Sequence, residues 1–247
     1  MNNITIVIPI YKLTSYRLEN FKFLLENLKH INVPYIIAEQ ISKIDGEAHL
    51  QNCYGKNHIK FVTDSDIFHK AWLLNKCIDR VETEYVWFVD CDYYMDFESI
   101  ITKAQYIGKD FYQPYYKAKE LNVSQTYEIK TTKNIKEELF LNNGSDDKRY
   151  RIYGALSFIA NVKALNDIGG LDETYKGWGY EDLDLFMRVH QHDKYKLTIE
   201  PEKKGVHLWH PRPSNSNRSN NQKHFKSKGY SIDSVKKILD TTYYNKI

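Results

Sequence analysis

The stretch FVDCDYYM, Phe88 to Met95, runs apolar residues straight into two aspartates separated by one cysteine. Asp is a common turn residue where strands stop, but Asp90 and Asp92 are also hard oxygen donors of the kind a divalent cation takes. A second segment, GVHLWHPRP (Gly205–Pro213), sets His207 and His210 three apart. In a straight strand that spacing sends the imidazoles to opposite faces. A turn or helical bend is needed to bring them together, and Pro211 biases His210 away from continuing a helix. Carboxylate and imidazole ligation together suit Mn²⁺ and require no sulfur. A third segment, GGLDETYKGWGYEDLDLFMRV (Gly169–Val189), holds four glycines in eleven residues, with Trp178 between two of them. Glu181 and Asp182 then open an amphipathic helix whose buried side is Leu185, Phe186 and Val189. Acidic residues at a helix start are favoured by the dipole for structural reasons alone. A tryptophan flanked by glycines is not explained that way. An adaptable collar, an aromatic platform and a fixed carboxylate are what a sugar-binding general base needs. Lys70, Arg212 and Arg218 are candidates to meet phosphate, although solvation is the ordinary fate of such side chains. There is no GxGxxG and no GxxxxGK[ST], so neither the dinucleotide fingerprint nor the P-loop is present.

The elements that must position these residues follow from periodicity. ITIVIPI (Ile4–Ile10) reads as a buried first strand. SYRLENFKFLLENLKHI repeats Leu18, Phe21, Leu25 and Leu28 at helical spacing. PYIIAEQI and HIKFV read as two further strands, Phe68 to Val81 as an amphipathic helix, and YVWFVD as a fourth strand. This order implies an α/β fold with a mainly parallel sheet flanked by helices. In such sheets ligands collect at the carboxyl ends of the strands, where Asp90, Asp92, Glu39 and the Pro9-Ile10-Tyr11 segment are expected. Residues 115 to 150 are polar and read as an excursion with one short helix, ending in an Asn143–Gly144 turn. YGALSFIA reads as a strand, NVKALNDIGG as a short helix closed by glycines, and the polar tail from Ser214 as ending in a helix, SIDSVKKILDTTYY.

Bulk properties narrow the function. The 247 residues suit one large α/β domain, and 42% hydrophobic content supports a real core. A net charge of +3 from 35 basic and 32 acidic residues gives no global nucleic-acid signature. Cys53, Cys77 and Cys91 are odd in number and lack CxxC spacing, which points to free thiols in a reducing compartment. The N-terminal MNNITIVIPIYK has no basic n-region or cleavage site, and no apolar run approaches the roughly 20 residues that span a bilayer. The expectation is a cytoplasmic protein.

Taken in order, IIAEQ, FHKAWLLNKCIDRV, FVDCDYYM, YGALSFIA, GWGYEDLDLFMRV and HLWH resemble the GT-A glycosyltransferases, in particular the β1,4-galactosyltransferase family and its bacterial relatives. The resemblance implies a GT-A type, Rossmann-like sheet with a C-terminal acceptor-side subregion. Residues 1–213 would form the transferase domain (1–95 the nucleotide-binding half, 150–213 the acceptor half) and 214–247 a helical tail. It implies Asp92, His207 and His210 as ligands of Mn²⁺ or Mg²⁺, with Asp90, Lys70, Pro9, Tyr11 and Glu39 on the nucleotide-sugar. It implies Trp178, Glu181, Gly154 and Ala155 on the acceptor and Asp182 as catalytic base. The family's Pro-Phe-Arg-Asn-Arg nucleotide motif is absent, and Tyr180 stands where the family has the second glycine of W-G-G-E-D. A phenol there would alter the donor or acceptor pocket.

The function so implied is an inverting, metal-dependent transfer of a sugar, galactose or N-acetylgalactosamine, from a UDP-sugar to a hydroxyl of a glycan or lipid-linked acceptor. The rivals are a nucleotide-sugar pyrophosphorylase and a non-catalytic sugar-binding protein. IPIYKLTS lacks the Gly-rich basic loop the first would want, while Asp182 and the Asp-x-Asp pair are present against the second. Lys203, Lys204, Arg212, Arg218, Lys223, Lys226 and Lys228 give the tail a local basic excess, which would suit peripheral contact with the inner face of a membrane.

Overall fold

The computed structural model describes residues 3–44, 55–115, 117–140, 150–151, 157–200, 203–211 and 217–244. Gly154, Ala155, Arg212, Cys53 and the Asn143–Gly144 turn lie outside them. The first half runs β1 (Ile4–Ile10), α1 (Ser15–Leu28), β2 (Tyr35–Ser42), β3 (His58–Thr63), α2 (Lys70–Ile78) and β4 (Tyr85–Val89). It continues through β5 (Tyr93–Tyr94), α3 (Phe97–Thr102), β6 (Phe111–Gln113), β7 (Lys117–Glu120) and α4 (Val123–Thr132). The second half adds β8 (Tyr150–Arg151), β9 (Ser157–Asn161), α5 (Val162–Asp167), α6 (Glu181–Gln191) and β10 (Leu197–Ile199). It closes with β11 (Lys204–His207), α7 (Arg218–Ser227) and α8 (Ile232–Tyr244).

Seven strands form the main sheet in the order β10-β6-β9-β4-β1-β2-β3. All neighbours are parallel except β9, which runs antiparallel to both β4 and β6. The unbroken apolar run of β1 is explained by burial on both faces. Ile4, Ile6, Ile8 and Ile10 pack with Phe21, Leu24 and Leu28 of α1, while Val7 faces Ala71 and Leu74 of α2. Pro9 is tolerated in this central strand because the β4 ladder has ended at Val7–Phe88, leaving Pro9 opposite Ala38 of β2.

A smaller sheet, β5-β11-β7-β8, sits beside the main one. One of its strands, β7, falls within the polar region read as an excursion and β8 begins at its end, so that region holds more structure than the periodicity showed. α4, for instance, is a ten-residue helix with a full capping box between Asn122 and Gln125. The polar start of the tail is also helical, as α7. It buries Phe225 in a third core with Tyr175, Tyr180, Phe186 and Met187, joined by Val235 of α8. Among the described residues no helix is long and apolar enough to cross a membrane.

Candidate active site

The strand register does much of the work of assembling the first cluster. β4 stops at Val89, so Asp90 and Asp92 emerge at its carboxyl end, and Tyr93 begins β5. β5 pairs antiparallel with β11 with His207 opposite Tyr93, which sets His207 beside the residue that follows Asp92. β11 ends at His207, and the chain then turns. The turn is held by Leu208 N–H on the Asp92 carbonyl (2.8 Å), Trp209 N–H on Thr126 Oγ1 (2.8 Å) and Asn20 Nδ2 on the Trp209 carbonyl (3.2 Å). His210 swings back as a result, and the two rings lie 5.2 Å apart. His207 Nε2 is 3.5 Å from Asp92 Oδ1, and His210 Nε2 is 3.2 Å from Asp92 Oδ2. One ligand atom from each of the three residues falls within 4.8 Å of the others. A carboxylate and two imidazoles at this spacing are a donor set that can hold a divalent cation.

Arg17, from the first turn of α1, is a member the sequence did not reveal. Its Nε donates to Asp92 Oδ2 at 3.1 Å and its Nη2 to Cys91 Sγ at 3.2 Å. Burial opposes charge on Asp92, but His207, Arg17 and His210 outweigh it and hold the carboxyl well below its usual range. Arg17 is raised in turn: burial works against its charge, and Cys91, Asp92 and Asp90 overcome it.

A second cluster centres on Lys70, the first residue of α2. Its ammonium is 2.9 Å from Asp90 Oδ1, 3.3 Å from Asp182 Oδ2 and 3.7 Å from Glu181 Oε1. Asp90 belongs to the end of β4, whereas Glu181 and Asp182 open α6, so one cation joins the two halves. Three carboxylates around one ammonium leave excess negative charge in a nearly closed space. Burial, the Glu181 charge and Asp90 push Asp182 well above the ordinary carboxylate range, against the pull of Lys70. Asp90 is raised as well, by burial first, with Lys70 opposing. Lys70 goes up despite its burial because Asp182, Asp90 and Glu181 all favour its charged form. Glu181 Oε2 and Asp182 Oδ1 are buried and lack a hydrogen-bond partner among the described residues. Unmet acceptors of this kind are costly, and at a cleft they mark where a ligand's hydroxyl donors would go.

Trp178 is 37% exposed, with the Arg218 guanidinium 4.7 Å from its ring centre. The turn that carries it is bent by Gly177 and Gly179, at φ +77° and +88°. Tyr180 follows at φ +79°, a backbone region that disfavours side chains. Its ring lies against Phe225 of α7, 5.3 Å between centroids, so the burial of this ring offsets the backbone strain.

The remaining sequence candidates are more dispersed. Tyr11 stacks on Phe68 (5.6 Å, 5° between planes) and donates its hydroxyl to the Asp66 carbonyl at the mouth of the sheet. Glu39 is fully buried within β2, its carboxylate 2.8 Å from His58 Nε2, so it does not line the open crevice. In the tail, Lys203 approaches Asp96, Lys204 pairs with Glu137, and Lys228 bridges Asp172 and Asp184.

The sheet, the carboxylates at the end of β4 and the acidic start of α6 define a GT-A type glycosyltransferase architecture. The family model described as glycosyltransferase like family 2 matches residues 5–203, and the chain belongs to that family. No curated protein sequence matches it. Among solved structures it is similar to a mutant Drosophila β1,4-galactosyltransferase 7 in complex with manganese, UDP-Gal and xylobiose. That match has 10% identity and a TM-score of 0.51, over 88% of this chain and 78% of the other. It is similar also to S. aureus TarS 1-349 with UDP-GlcNAc (16% identity, TM-score 0.53), over 87% of this chain and 60% of that one. GalNAc-T7 with UDP, GalNAc and Mn²⁺ gives 9% identity and a TM-score of 0.53, over 83% and 44%.

Proposed function

We propose that the protein is an inverting glycosyltransferase that moves a hexose or N-acetylhexosamine from a UDP-sugar to a hydroxyl of a saccharide acceptor, using Mn²⁺ or Mg²⁺. The observation that carries this is the pair of buried oxygens, Glu181 Oε2 and Asp182 Oδ1, left without a partner among the described residues on carboxylates whose other oxygens face the same Lys70 that touches Asp90. Solved GT-A structures containing UDP-sugars, manganese and xylobiose support the choice of ligands.

Asp92, His207 and His210 would hold the cation, which when bound supplies positive charge to the diphosphate leaving group. Lys70 and Asp90 lie on the donor side, within reach of a phosphate and a ribose. On the acceptor side, Trp178 offers an aromatic face to a sugar ring and Glu181 Oε2 accepts from one of its hydroxyls. Asp182 Oδ1 takes the proton of the attacking hydroxyl. The acceptor oxygen bonds to the anomeric carbon as the bond from that carbon to the diphosphate oxygen breaks, which inverts the centre. A carboxyl raised in pKa is the stronger base once ionised. Galactose or N-acetylgalactosamine, as implied by the family resemblance, is the donor sugar to try first. The tail's cations Lys203, Lys204 and Lys228 are engaged by acidic groups of the same chain. They bring less free charge to a membrane or lipid-linked acceptor than the sequence count implies.

The test is thermal shift with UDP, GDP, CMP and ADP, each with and without Mn²⁺, since a ligand specific to the native state raises the melting temperature. A manganese-dependent rise with UDP, lost in His210→Ala, is the expected result. No shift with any nucleotide, in protein shown to be folded, would favour the non-catalytic alternative.

A further inference from the structure

One face of α7 is given over to the loop that carries the acceptor-side residues. Asn217, at the helix start, donates Nδ2 to the Lys176 carbonyl at 3.1 Å. One turn on, Asn221 Nδ2 reaches three carbonyls, those of Lys176 (3.0 Å), Gly179 (3.0 Å) and Trp178 (3.4 Å). His224 meets Asp172 at 3.0 Å, Phe225 packs on Tyr180, and Lys228 pairs with Asp172 and with Asp184 of α6. Positions 217, 221, 224, 225 and 228 lie on one helical stripe. The opposite side of the loop is tied to the segment before α2, through Gly177 N–H on the Phe68 carbonyl at 2.7 Å and the His69 ring on the Glu173 carbonyl at 2.6 Å.

Asn221 is the centre of this contact. It is 3% exposed. Three converging carbonyl oxygens can be satisfied only by a donor, and a neutral amide supplies two N–H groups without adding a charge. The loop's glycines leave its backbone otherwise free to take several conformations. Tyr180, at the start of α6, supplies no side-chain cap to that helix.

We propose that Asn221 is a positioning residue for the transfer reaction. By holding the carbonyls of residues 176–179, it fixes the turn that presents Trp178 and delivers Glu181 and Asp182 to the Lys70 cluster. This makes 217–228 a working part of the acceptor site and not an appended tail. The proposal rests on the acceptor-side role given above to Trp178, Glu181 and Asp182.

The experiment compares Asn221→Ala with Val235→Ala, a fully buried α8 position in the same small core whose apolar side chain holds none of the loop's carbonyls. Three quantities are read on the full chain: hydrogen exchange across residues 176–182, UDP–Mn²⁺ affinity by calorimetry, and transfer from a UDP-sugar to a panel of p-nitrophenyl glycosides. Asn221→Ala is expected to speed exchange in 176–182 by at least about tenfold, the factor that 1.4 kcal/mol of lost local stability gives. The glycoside KM should rise by a similar factor with UDP–Mn²⁺ affinity within about twofold, since only the acceptor side is loosened. Val235→Ala should lower the melting temperature as much or more and leave both the exchange in 176–182 and the KM near wild type. Unchanged exchange in Asn221→Ala, or the same exchange and KM changes in both variants, would overturn the proposal. If wild type transfers to no glycoside, the transferase assignment is what suffers, and the exchange comparison still decides whether Asn221 holds the loop.

Discussion

Replacing Asp182 with Asn should raise stability and abolish transfer together. Asp182 Oδ1 is a buried carboxylate oxygen without a partner among the described residues, in a cluster where three carboxylates share one ammonium. Leaving a buried acceptor unmet costs about 1–3 kcal/mol, and Lys70 offsets part of that. Asn removes one negative charge while Lys70 keeps Asp90 and Glu181 as partners, so no cation is stranded. The expected gain is about 1–2 kcal/mol, at roughly 2–4 °C of melting temperature per kcal/mol for a chain of this size. The pH dependence supplies a signature. Because the folded pKa is raised, the unfolded chain releases this proton first, near the ordinary aspartate value of about 3.9, and the native state holds it longer. Over that window the native state binds more protons, so wild-type stability falls as pH rises. The variant's advantage is therefore absent below the ordinary carboxylate range and grows above it. Calorimetric melting of both proteins at about pH 4 and about pH 8, with a transfer assay alongside, checks this. Transfer should drop by about 10²–10⁴-fold if Asp182 is the base. A melting temperature at neutral pH equal to or below wild type would show that the Lys70 contact dominates, and would refute the reasoning.

Asp92→Asn should act in the opposite sense. It leaves the Arg17 guanidinium beside a neutral amide, and breaking a buried pair costs 3–5 kcal/mol, taken as about 2–4 here because Arg17 is 23% exposed. Urea denaturation should show that loss, and a change under about 1 kcal/mol would count against the pairing. Gly205→Ala puts a methyl carbon 1.8 Å from the Tyr93 hydroxyl and 2.4 Å from its ring, a clash worth about 1–3 kcal/mol. Tyr93→Phe alone removes a buried hydroxyl that lacks a partner among the described residues and should be neutral or stabilising. Placed behind Gly205→Ala it should restore little, since the ring carbon still collides; full recovery in urea denaturation would contradict that geometry.

The strands of the first half were legible because burial on both faces leaves a continuous apolar run, as in β1 and β4. The amphipathic start of α6 was legible for the same kind of reason. What escaped were features set by register and by distant side chains. His58 comes beside Glu39 through the parallel pairing of β2 with β3, which no local pattern records, and so a carboxylate expected at the crevice is buried against an imidazole. Arg17 reaches Asp92 from 75 positions away, and an arginine on a polar helix face carries no mark of it. The short strands of the second sheet are too brief for periodicity to show. α7 reads in sequence only as the polar start of the tail because its few buried residues, Asn221 and Phe225, do their work through hydrogen bonds and one ring. A stripe of Asn217, Asn221, Phe225 and Lys228 at helical spacing was the available signal.

The placement of Lys70 bears on how this chain could be recombined with its relatives. The cation is carried by α2 in one half of the molecule, while two of its three anionic partners open α6 in the other. A graft of residues 150–213 onto a scaffold with no cation at that place would import Glu181 and Asp182 without their shared counter-charge. The reverse graft would leave Lys70 with Asp90 alone. The two halves are thus electrostatically a single inherited unit, and an exchange that respects the loop boundaries but not this ammonium would divide it.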